Sequence, residues 1–375
     1  LSPISFIFFG NGINGFKYRN NLLINAKNSG TVGRLMLGLL IKSPKKIKLI
    51  GDKSLSKRDF LRITTPLQKF GAKFYYKKKG KLPLSILGSK LPRSINYLEN
   101  KGSAQCKSAV MLAALNSSGT TIIKAKKSRN HTELLFKYLN VPIKVKTTKK
   151  YDFIDIKQPK KIPAFNYQIP GDISSSAFFM VLTTLTINSK LLIKNVNINP
   201  SRVGVITILK KMGAKISLKN QKNYRGERIS DILIKSSRNL KAINCPPELN
   251  SNAIDEFLVI FLIAARAKGV SHFTDVSELN QKESPRLDWG SKILNMMGVK
   301  TELTKDSIKI YGQPNLEIKK LITIKNYLKD HRVFMMSAVA ALTCGGEWNI
   351  HDKDSIKTSF PSFLKIIEKI GSKYL

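Results

Sequence analysis

Val205-Ile206-Thr207-Ile208-Leu209-Lys210-Lys211-Met212-Gly213-Ala214-Lys215-Ile216-Ser217-Leu218 joins two periodicities across one glycine. Over 205–212 the apolar residues recur three and four apart, which predicts a helix. Over 214–218 they alternate, which predicts a strand. Gly213 fits the position just past a helix C-terminus that takes positive φ. The same cadence returns at a helix over 65–70, Gly71 and a strand over 72–76. It returns again at 289–297, Gly298 and 299–303, and a shortened copy ends the chain at 363–370 and Gly371. A strand over 47–50 runs into Gly51-Asp52. One such copy is common in any α/β chain, but four at intervals well above about 50 residues indicate repeated βα units rather than a short solenoid. Pro and polar residues between Pro163 and Pro170 interrupt the pattern before Gly171-Asp172, so a domain boundary is expected there.

Composition narrows the function classes. The 375 residues allow two or three domains, and 42% hydrophobic content with 38 Gly and Pro is an ordinary globular mixture. That excludes a disordered tail, a collagen-like chain and a coiled coil. No stretch approaches the roughly 18 apolar residues of a membrane span. Lys+Arg is 65 against 24 Asp+Glu, a net charge of +41. Such a surplus suits a nucleic-acid binder, a membrane-surface binder or an enzyme for small anions. Only 13 of the basic residues are Arg and 52 are Lys. The lysines are spread evenly, as expected of a compositional drift that puts Lys on every solvated face, so the arginines carry more information. Aromatics are only 8% and lie mostly in apolar runs, unlike a nucleic-acid surface. Cys106, Cys245 and Cys344 are far apart and odd in number, which argues for a reducing cytoplasm and against a disulfide framework. The histidines form no recognisable metal set. The chain opens on Leu1, and 1–9 has no basic segment and reads as a strand entered mid-domain, so a fragment is expected.

Four segments combine Gly, hydroxyl residues and isolated charge at expected element ends. They are Asn28-Ser29-Gly30-Thr31-Val32-Gly33-Arg34, Gly51-Asp52-Lys53-Ser54-Leu55-Ser56-Lys57-Arg58, Gly102-Ser103-Ala104-Gln105-Cys106-Lys107-Ser108 and Pro170-Gly171-Asp172-Ile173-Ser174-Ser175-Ser176. The second reads as a donor-rich loop. Free N–H groups at a helix start suit an anion, and Arg58 can fork onto a phosphate or carboxylate. Each segment could equally be a cap alone. Three more place acids beside bases: Ile254-Asp255-Glu256, where the acids could be mere dipole partners, Lys282-Glu283-Ser284-Pro285-Arg286, and Asp330-His331-Arg332.

Gly51-Asp52, Ser54-Leu55 and Arg58; Ser103-Ala104-Gln105; Arg129-Asn130-His131-Thr132-Glu133; Pro170-Gly171-Asp172 with Ser175-Ser176; Ile254-Asp255-Glu256; Lys282-Glu283-Ser284 with Arg286; Asp330-His331-Arg332; and Thr358-Ser359-Phe360-Pro361 occur in the order seen in 5-enolpyruvylshikimate-3-phosphate synthases. The chain resembles that family over nearly its whole length. The resemblance implies an α/β (α+β) two-domain enolpyruvyl transferase fold, each domain built of three βαβαββ units around a pseudo-threefold axis. Domains over 1–170 and 171–375 are expected, with the active site in the cleft between them. It implies transfer of the enolpyruvyl group of phosphoenolpyruvate to the 5-hydroxyl of shikimate 3-phosphate, with release of phosphate and no metal or organic cofactor. No nucleic-acid or membrane partner is expected, and a cytoplasmic monomer is.

The same resemblance assigns Gly30, Arg58, Gln105, Arg286 and Arg332 to phosphoenolpyruvate. Ser103, Gln105, Asp255, Lys282, Ser175 and Arg129 go to shikimate 3-phosphate. Asp255 resembles the base for the attacking hydroxyl, and Glu283 the residue that exchanges protons at the methylene carbon. A carboxylate inside a cationic site has its charged form favoured. Gly30 implies sensitivity to glyphosate. Departures from the family are Pro285 and Asn130, each where Asp is usual, Asp59 where Pro is usual, and the absence of Lys from the Thr358 to Pro361 string, with Lys357 adjacent. The family's first segment, a Lys-Ser…Arg motif, would precede Leu1, so an N-terminally truncated member is expected. The nearest rival in this fold, the enolpyruvyl transferase for UDP-N-acetylglucosamine, carries a Cys shortly before its equivalent of Arg58, and residues 51–57 hold none. A basic nucleic-acid binder and an inactive fragment are the other readings.

Overall fold

The computed structural model describes residues 7–10, 12, 13, 15–19 and 21–370. One arrangement of elements recurs along them. The first occurrence comprises β1 (Leu23–Asn25), α1 (Gly30–Leu39), β2 (Ile47–Ile50), α2 (Lys53–Lys57), α3 (Leu61–Lys69), β3 (Lys73–Tyr76) and β4 (Leu84–Leu87). Its strands pair in the order β1-β2-β4-β3, with β1 parallel to β2 and the other pairs antiparallel. The second, β5 (Asn96–Glu99), α4 (Ala104–Ala114), β6 (Thr120–Lys126), α5 (His131–Tyr138), β7 (Ile143–Thr147) and β8 (Tyr151–Lys157), repeats that order as β5-β6-β8-β7.

In the third, a parallel bridge between Gly171 and Val196 takes the place of the first strand. There follow α6 (Ile173–Leu185), β9 (Lys190–Asn197), α7 (Gly204–Lys211), β10 (Lys215–Tyr224) and β11 (Glu227–Lys235), with β11 between β9 and β10. The fourth holds β12 (Asn244–Cys245), α8 (Asn250–Ala253), α9 (Phe257–Ala265), β13 (Gly269–Phe273), α10 (Arg286–Met296), β14 (Thr301–Leu303) and β15 (Ile308–Gly312), in the order β12-β13-β15-β14. A fifth begins with β16 (Ile318–Ile324), α11 (His331–Cys344), the parallel partner β17 (Gly345–Ile350) and α12 (Phe363–Ile370). The chain divides between Gln168 and Ile169 into two compact units, each with its own hydrophobic core.

Gly71, Gly213 and Gly298 end their helices at φ of 101°, 96° and 84°, the left-handed region that glycine enters without strain. The corresponding residue after α5 is Asn140 at φ 55°, so the βα cadence is present there too without a glycine to mark it. Gly371 and the first six residues of the expected opening strand lie outside the described residues. Residues 7–10 are not in a strand, and Ile7, Phe8 and Phe9 are exposed. The donor-rich segment after Gly51 is a short helix, α2, rather than a loop, because the Asp52 carboxylate caps it by accepting from the Leu55 N–H at 2.7 Å.

The leading long helices of the later repeats, α4, α6, α9 and α11, are mostly buried. All of α9 is inaccessible, as an all-apolar sequence from Phe257 to Ala265 requires. Phe257, Phe261 and Phe273 pack with ring centroids 5.2–5.8 Å apart at its heart. In the first unit α1 lies so close to α4 that a Cβ on Gly38 would sit 2.2 Å from the Ala109 carbonyl oxygen. Neither backbone can yield without moving a helix start that carries candidate site residues. Gly38→Ala is therefore expected to destabilise the chain by about 3 kcal/mol. An unchanged denaturant midpoint would show that the approach of the two helices is not tight.

Candidate active site

The first unit brings one set of candidates to the starts of α1 and α4. Ser29 caps α1, its hydroxyl accepting from the Val32 N–H at 3.1 Å, and Gly30 is the first helical residue. A Cβ on Gly30 would lie 3.1 Å from the Arg58 guanidinium, so a hydrogen is what lets that cation approach the helix end. Asn28 donates to Asp52 at 2.6 Å and ties the α1 start to the α2 cap. Arg34, one turn into α1, donates to the Gln105 side-chain oxygen at 2.5 Å, and the Gln105 amide donates to Thr31 at 3.0 Å. Burial pushes the Arg34 guanidinium below its ordinary range. Ser103 caps α4 by accepting from the Cys106 N–H, and its own N–H donates to the buried Glu99 carboxylate at 2.9 Å.

Arg129 lies two residues before α5. That helix is fixed to α4 by the Lys107–Glu133 ion pair at 2.6 Å and by a Ser108–Thr132 hydrogen bond at 2.7 Å. Lys107 is fully buried, away from the solvated faces where a compositional drift puts Lys. Its partner is the acid of the Arg129 to Glu133 motif, and a buried ammonium requires one.

The second unit assembles a denser set. Arg286, at the start of α10, is 2% exposed and is met by three carboxylates. Its Nε donates to Asp330 Oδ2 at 2.8 Å, and its Nη2 donates to Asp330 Oδ1 at 3.2 Å and to Glu283 Oε2 at 2.5 Å. Its Nη1 lies 3.5 Å from Asp255 Oδ1, and Lys282 Nζ lies 3.4 Å from the same oxygen. Arg332 Nη1 donates to the Asp255 carbonyl at 2.6 Å. Asp330 also caps α11 by accepting from the Arg332 N–H, and it takes the Ser284 hydroxyl at 2.9 Å. Burial alone would weaken the charge on Arg286, but Asp330 and then Glu283 outweigh it and raise the guanidinium further. Burial likewise favours the neutral Asp330, and Arg286 reverses that, holding its carboxyl below the usual range.

Ser175 stands on the first turn of α6, where its N–H and hydroxyl donate to the capping Asp172 at 2.9 and 3.0 Å. Arg202 pairs with Asp172 at 3.3 Å. The geometry offers clustered cations for anionic groups, with two partly accessible carboxylates, Asp255 and Glu283, beside them to move protons. Among the described residues no group of three His, Cys, Asp or Glu could hold a metal ion, and no helix is long and apolar enough to cross a membrane.

Residues 7–367 match the family model for EPSP synthase (3-phosphoshikimate 1-carboxyvinyltransferase). This chain belongs to the EPSP synthase family. It is 42% identical over 364 residues to the 3-phosphoshikimate 1-carboxyvinyltransferase of Ruthia magnifica subsp. Calyptogena magnifica, covering 97% of this chain and 81% of that one. The enzyme of the same name from Bacillus subtilis is 36% identical over 369 residues, 98% of this chain and 84% of its own length. The EPSP synthase of Acinetobacter baumannii superposes with a TM-score of 0.83 at 36% identity, over 96% of this chain and 80% of that one. The enolpyruvyl transferase NikO of Streptomyces tendae shares the fold, with a TM-score of 0.68 at 12% identity.

Around the family's site residues the structure places Thr31, Arg34, Ser174 and Glu256, which belong to the segments quoted from the sequence, and Glu99 and Arg202, which do not. Arg202 was findable, being one of few arginines in a chain that otherwise uses Lys.

His331, between Asp330 and Arg332, yields a pH prediction. Burial and then the Arg332 charge lower its imidazole to about 4, against 6.5 when unfolded. The unfolded chain therefore binds the extra proton between those values. Stability is complete above pH 6.5 and falls as the pH drops toward 4, by up to about 3 kcal/mol. His331→Gln is expected to flatten that acid limb in denaturation curves taken from pH 7 to 4; a limb of unchanged slope would refute the assignment.

Proposed function

We propose that this chain transfers the enolpyruvyl group of phosphoenolpyruvate to the 5-hydroxyl of shikimate 3-phosphate, with Asp255 as base and Glu283 as the proton donor to carbon. The observation that carries the reading is the second-unit cluster, in which Asp255 and Glu283 flank one buried guanidinium with Lys282 and Arg332 alongside. Both substrates carry a phosphate and a carboxylate, and fixed cations are needed to offset their mutual repulsion. Arg286 and Arg332 in the second unit, and Gly30, Arg58 and Gln105 in the first, take phosphoenolpyruvate. Ser103, Gln105 and Arg129 in the first unit, and Ser175, Lys282 and Asp255 in the second, take shikimate 3-phosphate.

Asp255 accepts the proton of the 5-hydroxyl as its oxygen bonds to C2 of phosphoenolpyruvate. Glu283, which must enter this step as the protonated acid, gives its proton to C3, which turns the methylene into a methyl and completes a tetrahedral adduct. In the second half the bond from C2 to the phosphate oxygen breaks, and Glu283 takes a proton back from the methyl. The proton held by Asp255 leaves on the phosphate, so both side chains return to their starting state. Lys282 Nζ lies 3.4 Å from Asp255 Oδ1, so a cation stands beside the carboxylate that takes the proton.

The free, buried cysteines fit a reducing cytoplasm, and every residue of both sets comes from one chain, so we take the enzyme to act as a cytoplasmic monomer, a state that sedimentation checks.

Asp255→Asn is expected to lower kcat about a thousandfold with little change in the KM for phosphoenolpyruvate. Glu283→Gln should slow solvent deuterium entry into the product methylene. Retention of full turnover by Asp255→Asn would remove the base assignment. Gly30→Ala brings a methyl to 3.1 Å from Arg58 and is expected to raise both the KM for phosphoenolpyruvate and the inhibition constant for glyphosate. If neither constant moves, Gly30 does not border that substrate.

A further inference from the structure

Glu256 follows the proposed base and is 1% exposed, whereas its neighbour Asp255 keeps part of its carboxylate accessible. Consecutive side chains here face opposite ways: Asp255 toward Lys282 and Arg286, Glu256 into the interior. The Ser174 hydroxyl donates to Glu256 Oε1, and Arg202 Nη2 donates to Ser174 Oγ at 2.6 Å. Arg202 also reaches Asp172, the cap that holds Ser175. Glu256 occupies the cap position of α9, but its side chain makes no capping hydrogen bond there.

A carboxyl at that depth is costly to bury, and an apolar side chain before the wholly apolar α9 would cost less. Glu256 Oε2 has no hydrogen-bond partner among the described residues, so the group is not placed for the sake of a saturated polar network. What the contact does achieve is to fix the segment between α8 and α9 from the inside. The Arg332 contact to the Asp255 carbonyl fixes it from the other side.

We infer that Glu256, joined through Ser174 to Arg202, is a positioning residue that aims the Asp255 carboxylate and sets its spacing from Ser175. The inference rests on the reading of Asp255 as the base. The same chain of contacts joins the start of α6 to the start of α9, two of the three places in the second unit assigned to shikimate 3-phosphate. Burial, and Asp255 next door, push the Glu256 carboxyl up toward its neutral form, against the pull of Arg332 and Arg202. The neutral form is close in shape to a glutamine, whose amide oxygen can accept from Ser174 in the same way.

The test compares Glu256→Ala, Glu256→Gln, Ser174→Ala and Asp255→Asn in the full chain, with the Glu256→Ala/Asp255→Asn double variant, by steady-state and single-turnover kinetics. Misaiming a base without removing it is expected to lower kcat on the order of tenfold to a hundredfold in Glu256→Ala, with the KM for phosphoenolpyruvate nearly unchanged. Glu256→Gln should recover most of that loss. In the Asp255→Asn background, Glu256→Ala should cost nothing further, because residues acting through one another are not additive. If Glu256→Ala does not fold, Ser174→Ala cuts the same link without emptying the buried site, and the same results are expected of it. Wild-type kcat in both Glu256→Ala and Ser174→Ala overturns the inference. So does an equal loss with and without the Asp255 carboxylate, which would mark a general structural defect. Full turnover by Asp255→Asn, with Glu256→Ala still impaired, would instead locate the fault in the base assignment, and the inference would fall with it.

Discussion

A guanidinium leaves water only at a cost of several kcal/mol unless carboxylates replace its hydration. Arg286 has made that transfer, and its compensation comes from three separate places in the second unit. Asp330 arrives from the start of α11, Glu283 from the segment before α10, and Asp255 from the junction of α8 and α9. Removing any one would take a partner from a buried N–H of the guanidinium, so the three segments are held in register by a single cation. Asp330 is bound most tightly into this arrangement. It takes two donors of the guanidinium, the Ser284 hydroxyl and the Arg332 N–H at once. Lys282 and Arg332 are placed as a consequence, since each is one or two residues from a carboxylate that Arg286 holds.

The repeated topology explains why such junctions exist at all. In each occurrence the first strand leads into the buried helix, and the parallel second strand brings the chain back beside the first. The motif residues Gly30, Ser103, Ser175, Asp255 and Arg332 all lie at or next to the N-terminus of that buried helix. A buried helix has an apolar body whose end reaches accessible space with unpaired N–H groups. The polar residues at that end can therefore differ from repeat to repeat while the packing below them stays the same. Divergence of the five helix starts gave one fold several distinct side-chain sets.

The repeat was legible where a glycine marks it. Helix, Gly71, Gly213 or Gly298, and strand could be read off directly, because positive φ leaves few other residues to choose. The copy after α5 was not, since Asn140 reaches the same region by its short polar side chain and does not stand out in an Asn-rich sequence. The α2 helix was missed because five residues carry no readable period. The site motifs were legible through their order along the chain. Their pairings were not: Arg286 and Asp330 are 44 residues apart, and Ser174 and Glu256 are 82 apart. From sequence Glu256 could be a mere dipole partner beside Asp255, and only packing separates the partly accessible acid from the buried one. Nor does composition mark Lys107, which is fully buried against Glu133.

Capping and anion binding were posed as alternatives for these helix starts, but the chemistry of each cap decides how they combine. The hydroxyls of Ser29 and Ser103 accept from their helices and remain able to donate, and as neutral caps they do not themselves cancel the positive end of the dipole. The carboxylates of Asp172 and Asp330 cap equally well but cancel that positive end and repel an anion. Each of these two carboxylates is paired with an arginine, Arg202 or Arg286, and neither hydroxyl cap needs that compensation. In the second unit the helix ends are therefore electrostatically spent on holding side chains in place. The attraction for a phosphate or carboxylate there has to come from side-chain cations that keep a donor accessible beside the carboxylate caps, and Lys282 and Arg332 are the residues so placed.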